Sequence, residues 1–304
     1  MAKQKRGGKP SERKGKSGGP KKKTGPKDGA FRQFYSKSNP RAEKKNDRRR
    51  EKLLLEELKK AKKYENVEGP MRLNRYISLA GVCSRREADV LIANGKVSVN
   101  GKTCKELGTK VTPGQDQVVY NKKPLEIQTF VYLLMNKQKN LITTTKDDQG
   151  RATVMHTVQK YTQVRVYPVG RLDRNTTGLL LFTNDGDLAK RLTHPSHKVK
   201  KLYHVRLDKP FTDEDLVQMR KGLTLEDGEI RPDKVDFVTD APENEVGVEL
   251  HSGRNRIVRR MFEHLGYKVI ALDRVKFGPL TKKNLPRGTC RFLEGKEIGF
   301  LKMM

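Results

Sequence analysis

The chain has 304 residues, 34% of them hydrophobic and 34% charged, with a formal net charge of +30 and a pI of about 10.1. That length holds about two domains plus tails, and so much charge means that part of the chain is very polar or unfolded. With no apolar stretch long enough to span a bilayer, the excess of cations excludes a membrane-spanning protein and points to nucleic acid as the polyanionic partner. Cys83, Cys104 and Cys290 form neither a Cys-x-x-Cys pair nor an even framework, which argues against a disulfide scaffold or a zinc ribbon. The N-terminus is basic but has no apolar core of a secretory signal, so a reduced, cytoplasmic protein is expected.

Residues 1–69 carry 24 Lys and Arg against 9 Asp and Glu, a net of +15 and half of the total charge. The Lys/Gly/Ser/Pro-rich residues 1–29 cannot offset chain entropy and are expected to be disordered. Phe31, Phe34 and Tyr35 are either a stacking contact for RNA or a chance cluster. In residues 47–64, Leu54, Leu55, Leu58 and Ala61 recur at helical spacing, which predicts a basic helix. The simplest role for this tail is to raise RNA affinity without adding specificity.

Residues 70–124 read as a small domain. A helix is predicted over 72–80, with Leu73, Tyr76, Ile77 and Ala80 on one face and Gly81 as its stop. Ser84-Arg85-Arg86-Glu87 is a capping box that opens a second helix through Asn94. Val97 and Val99 alternate with polar residues, Asn100-Gly101 is a hairpin turn, Val118-Val119 a last short strand, and 121–124 a polar link. The string from Arg72 to Ala88 resembles the RNA-binding domain first named for small-subunit ribosomal protein S-four. On that resemblance Arg72, Arg75, Arg85, Arg86 and Lys96 face RNA phosphates, positioning the RNA rather than reading its sequence.

Residues 128–304 form the second domain. Strands are predicted over 130–135, 141–145, 202–207, 246–250 and 269–277, and helices over 187–192, from the Thr212 cap onward, and over 254–264. Strands and helices mix without a strict βαβ rhythm, so the class is α+β around a largely antiparallel sheet. Between them stands Gly170-Arg171-Leu172-Asp173-Arg174-Asn175-Thr176-Thr177-Gly178, running into the apolar Leu179–Phe182 and the turn Asn184-Asp185-Gly186. Asp173 lies between Arg171 and Arg174. Those cations favour its ionised form, which suits a nucleophile or a general base held by a core strand.

This string resembles the signature of pseudouridine synthases, specifically the RsuA/RluB class that acts on ribosomal RNA. Two further segments resemble the family's other motifs: 200–205, which places Tyr203 at the target base, and 253–261, in which Arg259 pairs with the catalytic carboxylate. Arg256-Ile257 stands where some relatives have His-Gln. The resemblance implies isomerisation of uridine to pseudouridine in ribosomal RNA of the large subunit, without a cofactor, by a monomer acting on RNA or on a ribosomal precursor particle. The uridine is extruded from its stack, Arg171 fills the vacated place, and Asp173 attacks the sugar or the base or abstracts a sugar proton. Arg254, Arg256 and Arg260 remain as a phosphate-binding face. His194 and His197 have no acidic or cysteine partner nearby in sequence, so no metal site is assigned. The alternatives are a non-catalytic RNA-binding assembly factor, or the same chemistry on small-subunit RNA.

Overall fold

The computed structural model describes Met1 and residues 69–304. The helix expected over 47–64 and the cluster at Phe31, Phe34 and Tyr35 lie outside the described residues.

In the first domain, helices Leu73–Leu79 and Arg85–Ala93 pack on a four-stranded sheet. The second helix starts as its capping box dictates: Glu87 N–H donates to Ser84 Oγ at 3.3 Å and Ser84 N–H to Glu87 Oε2 at 2.8 Å. Leu73, Ile77, Ala88, Ile92, Val97 and Val118 close a core with almost no exposure. Burying each large aliphatic side chain there contributes about 1.5–3 kcal/mol. Two boundaries differ from the sequence reading. Arg72 belongs to a two-residue strand with Met71, paired to Lys110–Val111, and the helix begins only at Leu73. Residues 121–124 are not a link: Asn121 and Lys122 both adopt left-handed φ, +50° and +61°, and turn the chain so that Lys123–Pro124 pairs with Val119 and Tyr120. A two-residue turn needs that backbone and is hard to read without glycine.

The domains meet closely. Phe130 packs against the cores of both, Gln128 N–H donates to Leu79 O at 3.0 Å, and Arg75 bonds Asp187 at 2.5 Å.

The second domain is built on a nine-stranded sheet whose main path runs Lys234–Phe237, Glu245–Leu250, Lys201–Leu207, Val269–Phe277, Thr177–Thr183, Tyr132–Lys137 and Cys290–Phe292. All pairings are antiparallel except that of Thr177–Thr183 with Val269–Phe277. Thr177–Thr183 is buried throughout. Leu179 and Leu181 enter one apolar cluster, and Leu180 and Phe182 another. Successive side chains point to opposite faces, so a strand covered on both sides reads as a continuous apolar run. The parallel crossing needs Gly178: its φ is +109°, and a Cβ there would lie 2.3 Å from the Arg274 carbonyl oxygen.

Helices Gly186–Thr193 and Asp213–Lys221 carry Asp185 and Thr212 as caps. Two predicted elements change. Residues 141–145 form no strand, only an isolated bridge from Ile142 to Thr153. The Thr144 hydroxyl bonds the nearby Lys146 O, a local bond that competes with a ladder, and the Thr143 hydroxyl is drawn to the distant Leu172 O. The helix predicted from Arg254 begins at Ile257, because Arg256 is left-handed with φ +47°.

Candidate active site

Asp173 sits on the loop between Gly170, with φ +77°, and the buried strand starting at Thr177. The loop is held from two sides. Beneath it, Lys137 ends a strand buried along its whole length, and its ammonium donates to the carbonyls of Asp173 at 2.9 Å, Arg174 at 3.2 Å and Thr176 at 2.8 Å. Burial pushes Lys137 down to about 8, with the Asp173 carboxylate acting in the opposite sense. Beside it, the Thr143 hydroxyl donates to Leu172 O at 2.7 Å and accepts from Leu172 N–H at 3.3 Å. Both backbone groups of the residue preceding Asp173 are thereby fixed, and Leu172 itself is 7% exposed.

With its main chain fixed, the Asp173 side chain projects into a cavity of about 690 Å³. Arg171, Arg174, Arg256, Lys146 and Arg151 also line that cavity, together with Asp147 and Asp148, which pair with Arg151 and Lys146 and leave the three other arginines as its excess cations. The ion pairs to Asp173 come from the 253–264 segment: Arg256 Nη1 is 4.0 Å and Arg259 Nε 3.9 Å from Oδ2. These are ion-pair spacings, longer than hydrogen bonds. The two arginines adjacent to Asp173 in sequence, Arg171 and Arg174, are exposed, and among the described residues no ion pair joins them to it. Arg259 approaches from behind the cavity, with Nη1 donating to Val269 O at 3.0 Å. Burial, with Arg256 beside it, holds its guanidinium below the usual value, while Asp173 acts in the opposite sense.

Tyr203 is half-buried on Lys201–Leu207 and packs against the cluster that contains Leu172 and Leu180. Like Arg259, it lies outside the lining of the Asp173 cavity. Arg260 and Arg254 are engaged elsewhere. Arg260 makes two bonds to Asp227, at 2.6 and 2.9 Å, and Arg254 bonds Gly228 O at 3.1 Å. Of the three arginines read as a phosphate face, only Arg256 reaches Asp173. In the first domain Arg72, Arg85, Arg86 and Lys96 are exposed, while Arg75 is held by Asp187.

A fixed carboxylate facing a cation-lined cavity is equipped for covalent or general-base chemistry on an anionic substrate. Residues 131–264 match the model of the RNA pseudouridylate synthase family, and residues 71–118 that of the S4 domain. The chain is 40% identical over 236 residues to ribosomal large subunit pseudouridine synthase B of Bacillus subtilis, covering 77% of this chain and 96% of the relative. The chain belongs to the RNA pseudouridine synthase family.

The synthase of the same name from Haemophilus influenzae is 37% identical, with 76% of this chain and 67% of that one aligned. A solved pseudouridylate synthase superposes with a TM-score of 0.54 at 28% identity, covering 76% of this chain and 99% of the other. The chain is thus an RNA pseudouridine synthase with an RNA-binding S4 domain. Among the described residues no helix is long and apolar enough to cross a membrane.

Sequence reasoning passed over Lys137 and Thr143. The one signal for Lys137 was a charged residue closing an apolar run, and Thr143 lay within a segment read as a strand.

Proposed function

We propose that this synthase isomerises a uridine of large-subunit ribosomal RNA, and that Asp173 is the group that acts on the nucleotide. The names of the Bacillus subtilis and Haemophilus influenzae relatives support the large subunit as target. The observation that carries the role of Asp173 is its fixed main chain beneath a carboxylate facing a cavity lined by arginines. In this reading residues 70–124 anchor a helical RNA segment through Arg72, Arg85 and Arg86, while the domain at 128–304 takes an extruded uridine. Arg171 fills the vacated stack. The N1–C1′ bond breaks, the base turns, and a C5–C1′ bond forms; C5 loses a proton and N1 gains one, so the reaction is atom-balanced and needs no cofactor. Asp173 acts by attack on the sugar or the base, or by removing a sugar proton. Tyr203 serves the base during rotation and the loss of the C5 proton, and Arg259 holds the carboxylate. The chain acts as a monomer in the cytoplasm, on ribosomal RNA or a precursor particle.

The test is Asp173→Asn, which removes the charge and nearly keeps the shape. Tritium release from carbon-5-labelled RNA should fall to background while RNA binding persists. Turnover close to that of the wild type would remove Asp173 from the chemistry. Sequencing carbodiimide-treated ribosomal RNA from cells with and without the gene identifies the uridine.

A further inference from the structure

A second cavity, of about 510 Å³, adjoins the one that holds Asp173. The two share Thr143, Thr144 and Arg171, so Arg171 stands on the wall between them. We propose that this second cavity is a binding site for the base of a nucleotide next to the target uridine. The proposal rests on the reading of Asp173 as the reacting group and extends it to the path of the RNA strand.

The construction of the cavity fits a nucleotide. Half-buried Pro168 and the edge of Ala189 give it apolar surface for a base face, with the buried Val169 packed beneath. Exposed Lys190 and Arg171 supply charge for the flanking phosphates. The hydroxyls of Thr144 and Thr193 donate inward, to Lys146 O at 2.6 Å and Ala189 O at 2.8 Å. Thr144 Oγ1 already accepts from Lys146 N–H at 3.3 Å and keeps one lone pair, and Thr193 Oγ1 keeps two, that can accept from a base edge or a ribose hydroxyl. Gly170 turns the chain at the wall of the cavity with a φ of +77°, one that other residues rarely adopt.

Its position gives it a place on the strand. Helix Gly186–Thr193 forms one wall, and Asp187 at the start of that helix bonds Arg75 of the S4 domain. Asp187, Lys190 and Thr193 follow at steps of three, each a surface neighbour of the next. From Asp187 to Thr193 the helix rises about 9 Å, the length of two to three stacked nucleotides at about 3.4 Å each. A strand leaving the S4 domain near Arg75 therefore passes Lys190, meets this cavity, and reaches Arg171 and Asp173.

The experiment uses the full-length protein and a large-subunit RNA fragment containing the mapped uridine. Single abasic substitutions are placed at each of several positions on either side of it, and dissociation constants are measured by filter binding. One position should weaken binding to the wild type about tenfold, the loss of one stacked base. Thr193→Trp, which fills the cavity from an exposed position, should weaken binding to intact RNA by a similar factor and abolish the effect of that one abasic substitution. Non-additivity at a single position identifies the occupant. Lys190→Ala adds no bulk and serves if the Trp variant unfolds. Its loss of affinity should vanish on RNA with a neutral methylphosphonate at one linkage near that position. Unchanged binding by both variants, or effects that add at every position, would overturn the proposal. Tritium release by Asp173→Asn is read separately, so failure of the cavity assignment and failure of the Asp173 assignment are distinguishable.

Discussion

Lys137→Met tests how the Asp173 loop is held. Methionine keeps an unbranched apolar stem and removes the ammonium. The backbone carbonyls of Gln138, Asp173, Arg174 and Thr176 then lose a donor, and a buried acceptor left unpaired costs about 1–3 kcal/mol. Two of them keep another partner: Asp173 O accepts from Thr176 N–H at 3.1 Å, and Arg174 O from Asn140 N–H at 2.9 Å. Thr176 O and the partly buried Gln138 O bear the larger losses, so the gross penalty is about 3–5 kcal/mol. Against this, the variant no longer buries a cation. The displacement of Lys137 from 10.5 to about 8 is equivalent to roughly 3 kcal/mol. The net loss of stability is therefore only about 0–2 kcal/mol, a few degrees in Tm. The effect on catalysis is larger, because a misplacement of about 1 Å can cost a hundredfold in rate. The expected outcome is a hundredfold fall in saturated tritium release, with RNA affinity nearly unchanged and a Tm within a few degrees of the wild type. A large fall in Tm with normal kcat would make Lys137 a stabilising residue with no role in placing Asp173. The pH dependence gives an independent check. Between about 8 and 10.5 the unfolded chain binds more protons at this residue than the native state, so stability rises with pH across that window and is flat below it. Denaturant unfolding should show that slope to be smaller in the variant. Lys201, also pushed down to about 8 by burial, remains in both proteins.

Gly178→Ala should abolish soluble expression or lower stability by more than about 3 kcal/mol, because its Cβ meets Arg274 backbone at 2.3 Å; thermal melting decides this, and a wild-type Tm would contradict the parallel pairing. Burial pushes the Cys290 thiol up to about 12, so a thiol reagent at pH 8 should label at most Cys83 and Cys104 in the native protein and all three cysteines after unfolding. Deleting residues 1–69 removes +15 of charge and should flatten the salt dependence of RNA binding without changing the modified uridine; a shifted site would make that segment a specificity element.

What could be read from the sequence is what lies contiguous within it. The nine residues from Gly170 to Gly178 carry the Asp173 carboxylate, its turn and the start of its supporting strand in one string. The capping boxes and apolar periods also act within a few residues, and most element boundaries follow from them. The Asp173 site depends on contacts of another kind. Lys137 reaches Asp173 O across 36 residues, and Thr143 reaches Leu172 O across 29. Both bonds end on backbone oxygens, which every residue has, so no side chain at the receiving end marks the pairing. Gly178 could be seen as a glycine, but its cause is the Arg274 backbone, 96 positions later, which became a neighbour only through the parallel pairing of Thr177–Thr183 with Val269–Phe277. The charges on Asp173 show the same limit. Adjacency favoured Arg171 and Arg174, and only the motif resemblance at 253–261 pointed to Arg259; the fold brings up Arg259 and adds Arg256, and leaves the adjacent pair exposed on the cavity. This exchange has a consequence for function. Cations that neutralised the carboxylate from its own loop would be unavailable to the RNA. With Arg256 and Arg259 taking that task, Arg171 and Arg174 keep their charge free of the Asp173 carboxylate, whose main chain is held by Lys137 and Thr143.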